Sequence, residues 1–102
     1  MKVYNKLVRD RIPEIIKSSG SIANTRILDD EEYFKCLLDK LLEEVKEVIE
    51  DPSKEELADT LEVIRSIAEH LDHSLEDIEK VRIKKNKSNG SFKKRIYLES
   101  TE

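Results

Sequence analysis

Apolar residues recur at three- and four-residue intervals through two long stretches of the chain. Phe34, Leu38, Leu41, Val45 and Val48 form the first set, and Leu57, Leu61, Ile64, Ala68 and Leu71 the second. Projected at about 100° per residue, each set falls on one arc, as in an amphipathic helix. Asp29 or Asp30 is placed to cap the first helix, and Glu31 and Glu32 complement its dipole. That helix is predicted to run to about Glu50, where Asp51-Pro52 breaks it. Ser53 opens the second, which runs to about Leu71. Ser74, followed by Asp77, opens a third, with Leu75, Ile78, Val81 and Ile83 inward and Lys84-Lys85-Asn86-Lys87 leading out. Upstream, Pro13 suits an early helical position, and Ile12, Ile15 and Ile16 give a short helix ending by Ser18-Ser19-Gly20.

The period changes at both ends. Residues 2–11 mix apolar and basic side chains without a helical repeat and read as an extended arm or short strand. Asn89-Gly90 is a turn signal. Phe92 to Leu98 alternates as a short strand, for which residues 2–8 are the only partner within the chain. The pattern therefore predicts an all-α fold of antiparallel helices with a minor terminal strand pair. The apolar arc of residues 57–71, widened by Val63 and Ile67, is broader than one neighbouring helix covers. A homodimer whose helices form a four-helix bundle is expected.

Composition supports this and narrows the function. At 102 residues the chain is expected to be a single domain, residues 1–102. Charged residues make up 41% and aromatics 5%, and two Gly and two Pro leave little turn chemistry for an all-β fold. No apolar run approaches the roughly 20 residues that span a bilayer, and the first residues lack an apolar signal core. The single Cys36 reads as a buried or half-buried thiol. A cytoplasmic protein without membrane partners is expected. The net charge of −4 is unevenly spread: residues 1–79 carry 11 basic and 21 acidic side chains, and residues 80–102 carry 8 and 2. Nucleic acid is not an expected partner, because the whole is acidic and no aromatics interleave the lysines.

Chemistry enters through the carboxylates. Glu44 and Glu47 are three residues apart on the first long helix, and Glu56 and Asp59 on the second, so each pair shares a side. Facing one another, they would form a four-carboxylate cage suited to Mg²⁺ or Mn²⁺. Glu56 projects between Val63 and Ile67, where an uncompensated charge is costly and a cation would relieve it. The spacing of Ser53 and Glu56 also fits a capping box, which would turn Glu56 back on the chain. Glu43 points nearly opposite to the apolar arc. His70 and His73, with no further Cys or His nearby, read as a surface helix end rather than a zinc site. Tyr33 and Phe34 read as core or interface aromatics.

Glu43-Glu44-Val45-Lys46-Glu47 followed by Glu56-Leu57-Ala58-Asp59 resembles the signature of the all-α nucleoside triphosphate pyrophosphohydrolases. This is the MazG-like superfamily, which also includes phosphoribosyl-ATP pyrophosphohydrolase and dimeric dUTPases. Lys6 to Pro13 and the Gly-Phe-x-x-Arg-Ile-like ending are similar to those of a small subgroup. Where that subgroup has Arg-Gly-Gly-Phe, this chain has Asn89-Gly90-Ser91-Phe92. The resemblance implies a Mg²⁺-dependent enzyme that cleaves a nucleotide between its α and β phosphates and serves in house-cleaning of non-standard nucleotides. It also implies Glu44, Glu47, Glu56 and Asp59 as metal ligands, with Glu43 supporting the attacking water. Catalysis would rest on Glu43, Glu44 and Asp59. Lys6, Arg9, Arg11, Lys84, Lys87 and Arg95 are the candidates to hold phosphate oxygens. The competing expectation is a non-catalytic helical dimer module that retains the fold. An intact four-acid set argues against it.

Overall fold

The computed structural model describes residues 1–102 and contains four helices and no strand. They are α1 (Ile12–Ser18), α2 (Asp30–Glu50), α3 (Lys54–His70) and α4 (Leu75–Asn89). The all-α expectation holds, and local chemistry fixes most boundaries. Asp29 caps α2 by accepting from the Glu32 amide at 2.9 Å. Ser74 and Asp77 form a reciprocal capping box at the start of α4, each side chain accepting from the other's amide at 3.1 Å. α1 closes with paired bonds, from the Gly20 amide to the Lys17 carbonyl and from the Ser21 amide to the Ile16 carbonyl. This termination needs a left-handed residue after the cap, and Gly20, at φ +91°, supplies it without a Cβ penalty.

The α2–α3 hairpin is the only extensive packing in the chain. Its inner face is offset from the arcs that the apolar pattern picks out. On α2 the face toward α3 carries Leu37, which is 2% exposed, then half-buried Leu41, then Glu44, with half-buried Val48. On α3 it carries Glu56, Thr60, Val63 and Ile67 at helical spacing, with Ala68 also buried. The stripe of Leu57, Leu61, Ile64 and Leu71 stays exposed, as do Leu38, Leu42, Val45 and Ile49 on α2. The hairpin thus has two apolar sides and covers only one.

Two expectations are corrected. The terminal strand pair does not form: no backbone hydrogen bond joins residues 2–8 to 92–98, and Asn5, at φ +46°, interrupts the arm as a strand. Arg95 adopts φ +60°, which interrupts the alternation that a strand needs, and Phe92 is 99% exposed. Secondly, α4 does not end at its lysine run but continues to Asn89, with Gly90 following at φ +82°. Lysine is a good helix former, so a run of it extends a helix instead of stopping it.

α4 touches only α3 and is exposed along nearly its whole length. The result is an elongated chain, with extents of 60 × 31 × 24 Å and a radius of gyration of 18.0 Å. A compact chain of this length has a radius near ~13 Å. No helix is long and apolar enough to cross a membrane.

Candidate metal centre

The acids meet at the closed end of the hairpin, beside the turn at Asp51, Pro52 and Ser53. α2 delivers Glu44 in its last turns, and α3 delivers Glu56 and Asp59 in its first. One carboxylate oxygen from each of these three residues lies within 4.8 Å of the other two. Glu44 is 8% exposed, the only buried charged residue of the chain, while Glu56 and Asp59 are half-buried. Glu47 is exposed and lies outside this close group, although its charge still acts on Glu56.

Ser53 does cap α3, accepting from the Glu56 amide at 3.2 Å. The reciprocal half of the box is not made. Glu56 therefore contributes its backbone to the cap and its carboxylate to the acidic group, and the two roles do not compete. Its carboxyl is held above the usual carboxylate range, first by partial burial and then by the charges of Asp59, Glu47, Glu44 and Asp51. The group therefore holds more negative charge than its surroundings balance.

Cations come from three directions. Lys6 Nζ donates to Glu43 Oε1 at 2.9 Å, and Lys40 Nζ donates to Glu43 Oε2 at 3.1 Å. Lys40 also stands 3.6 Å from Glu44 Oε1. Arg9 Nη2 donates to Asp59 Oδ1 at 2.7 Å. Partial burial alone would raise the Glu43 carboxyl, but the bonds from Lys6 and Lys40 outweigh it and hold it below the usual range. The Lys6 ammonium is correspondingly raised, chiefly by its bond to Glu43.

The remaining candidates lie elsewhere. Arg11, the N-cap of α1, pairs with Glu14 at 3.3 Å and makes no ion pair with the acidic group. Lys84 and Lys87 are exposed on α4, and Arg95 lies in the segment beyond it. None of the three makes a hydrogen bond or ion pair with the acidic group. Lys40 is a contributor that the sequence reading missed. The signal was available, since it precedes Glu43 and Glu44 by three and four residues and so shares their helix face.

His70 is not a bare surface residue: it stacks on Phe34 at 5.1 Å and meets Tyr33 edge-on at 5.6 Å, half-buried at the far end of the hairpin. Cys36 is a free, half-buried thiol, as expected.

Comparison with known proteins gives one family. The sequence matches the dUTPase family over residues 5–97. An uncharacterized protein of Mycolicibacterium smegmatis is 54% identical over 43 residues, covering 42% of this chain and 44% of the relative. The match thus spans less than half of that relative's length. No solved structure matches. The family finding corrects the resemblance to the MazG-like superfamily and its phosphoribosyl-ATP pyrophosphohydrolase-like small subgroup. The two acid motifs are carried by related all-α folds, so they locate the carboxylates without separating one family from another.

Proposed function

The chain belongs to this dUTPase family, and from that premise we propose that it hydrolyses a nucleoside triphosphate between the α and β phosphates. Water and the triphosphate give a nucleoside monophosphate and pyrophosphate. The observation that carries the reading is the convergence of Glu44, Glu56 and Asp59 within 4.8 Å. Three hard oxygen donors with unbalanced charge fit Mg²⁺, with Mn²⁺ as a substitute.

Glu44, Glu56 and Asp59 would hold the cation, and exposed Glu47 would complete the set from the last turns of α2. When bound, the cation neutralises phosphate charge and lowers the pKa of a coordinated water. The protein's own groups do the rest. Lys6 and Arg9, on the arm that reaches over the acids, would exchange their carboxylate partners for phosphate oxygens. Arg9 offers a planar fork suited to two such oxygens. Glu43, held ionised by two lysines, is a weak proton acceptor. Its role is to fix Lys6 and Lys40 and to orient water by hydrogen bonding. Arg11, committed to Glu14, drops behind Lys6 and Arg9 as a phosphate contact.

A homodimer accompanies this reading. The chain exposes 9649 Å², whereas a compact monomer of its mass exposes about 6,000 Å². The outward stripes on α2 and α3 supply an apolar surface for a second copy to cover.

The test is pyrophosphate release from a nucleotide panel headed by dUTP, with Mg²⁺, Mn²⁺ or chelator. Metal-dependent release of pyrophosphate with monophosphate is expected. Release of orthophosphate, or no turnover with any nucleotide, would sink the reading.

A further inference from the structure

The chain has three Tyr, two Phe and no Trp with which to meet a planar ring. Tyr33 and Phe34 are taken up by His70 at the far end of the hairpin. Phe92 and Tyr97 belong to the segment after α4, where the Lys93 amide donates to Ser91 Oγ and the Arg95 amide to the Phe92 carbonyl. Tyr4 is the one aromatic on the arm that carries Lys6 and Arg9 to the acids.

Tyr4 is also tied to the acidic end by a side chain. Lys6 Nζ lies 6.0 Å from the centroid of the Tyr4 ring and donates to Glu43 Oε1 at 2.9 Å. Both Glu44 and Tyr4 act on the Lys6 charge, so all three stand close together. Lys2 Nζ lies 5.2 Å from the same centroid. Between Tyr4 and Lys6 the arm bends at Asn5, whose φ of +46° is one that asparagine adopts more readily than most residues. For all this, the ring is not buried: Tyr4 is 60% exposed. It is an aromatic held beside the site by two ammonium groups, with most of its surface in water.

Such a ring has a better partner than a lysine. A cation over an exposed ring is a weak contact, whereas a base stacked on an aromatic changes affinity by about 5- to 140-fold. The same event supplies the exchange: a Lys6 that turns to phosphate oxygens leaves the ring it stood over.

We propose that Tyr4 is the base subsite, its ring stacking on the nucleobase while Lys6 and Arg9 take the phosphates. The ligand is an aromatic heterocycle joined to a phosphate chain, and this assignment rests on the pyrophosphohydrolase reading. Every base has a π face, so one ring does not read base identity. The arm would distinguish nucleotides from base-free polyphosphates, not one base from another.

Tyr4→Leu tests this on dUTP, on dATP and on inorganic tripolyphosphate, which has the phosphate chain and no base. The exposed position lets the variant fold, and circular dichroism checks it. KM should rise at least about fivefold for both nucleotides, with the loss in KM instead of kcat. Competitive inhibition by tripolyphosphate should not weaken, and Tyr4→Phe should restore most of the lost affinity. Equal weakening for tripolyphosphate would overturn the proposal, because Tyr4 would then act only by placing Lys6. An unchanged KM in Tyr4→Leu would also overturn it, and would leave the pyrophosphohydrolase reading standing. A second readout needs no turnover: the Tyr4 ring protons should move upfield in NMR spectra as dUTP or dUMP is added, and not with tripolyphosphate. No movement with either nucleotide would overturn the subsite. If the ring protons move but wild type releases no pyrophosphate, the reaction fails and the subsite stands.

Discussion

Arg9 and Asp59 are 50 residues apart in the chain, yet Arg9 Nη2 sits 2.7 Å from Asp59 Oδ1. This ion pair ties the N-terminal arm to the start of α3, and it does so through a side chain proposed to hold a metal. Both partners are substantially exposed, so the pair contributes at most about 1 kcal/mol to the fold. Its weakness suits a bond that must be exchanged when substrate arrives.

Asp59→Asn should keep the shape of that side chain and remove its charge. Turnover is expected to fall by more than about 100-fold, with helicity unchanged by circular dichroism. Mg²⁺ should raise the melting temperature of wild type, since a ligand at 100 times its Kd adds about 2.7 kcal/mol. The variant should lose most of that rise. Retained turnover would remove Asp59 from the mechanism.

Arg9→Glu should raise KM for nucleotide at least about tenfold and flatten its dependence on salt, because a phosphate contact becomes a repulsion. Apo stability should change by no more than about 1 kcal/mol. Unfolding of the variant would make the arm a fold element and strike its cations from the site.

The pH dependence of the Lys6–Glu43 bond has a definite sign. The Glu43 carboxyl is lowered in the fold, so its contribution is present above the ordinary carboxylate range and lost as pH falls through the lowered value. The Lys6 ammonium is raised, so its contribution is present below the ordinary lysine range and lost as pH rises through the raised value. Between roughly pH 5 and 10 the bond is constant. Lys6→Met should therefore show a pH-independent deficit in urea melts across that window, and one that disappears in acid.

Glu56 behaves oppositely. Its carboxyl is raised by partial burial and by its acidic neighbours, so the charged form burdens the fold at neutral pH. Glu56→Gln should be more stable than metal-free wild type at pH 7, with the difference vanishing as pH falls and Glu56 protonates. A less stable variant at pH 7 would show that Glu56 has a structural partner.

The outward stripe of α2 can be tested without any ligand. Leu42 is 70% and Ile49 75% exposed, so Leu42→Glu with Ile49→Glu costs a lone chain little. If a second copy covers the stripe, the double variant should sediment as a monomer and lose cooperative unfolding. Unchanged sedimentation of a dimer would move the interface elsewhere.

The helices were legible because their signals are local. Asp29, Ser53, Ser74 and Gly20 act within a turn of where they stand, and each boundary they predict is observed. The convergence of Glu44 with Glu56 and Asp59 was legible because helix phase follows from spacing. The face on which the hairpin closes was less so: α2 has apolar residues at both 37-41-48 and 38-42-45-49, and only the partner decides between them. The strand pair failed for a related reason, since it needed two remote segments to find each other. Arg9 with Asp59 is remote in the same way, and no periodicity announces it.

The turn at Asp51, Pro52 and Ser53 also bears on the order of events during folding. Glu44, Glu56 and Asp59 come from neighbouring ends of two helices joined directly, so closing one hairpin is enough to bring them together. Contacts of such short range form early, ahead of the arm and ahead of any second chain. The nascent hairpin must therefore crowd three carboxylates with Lys40 beside Glu44 but before Arg9 of the arm has reached Asp59. A divalent cation present during folding would relieve that crowding in the transition state itself. It should speed refolding, and not merely slow unfolding.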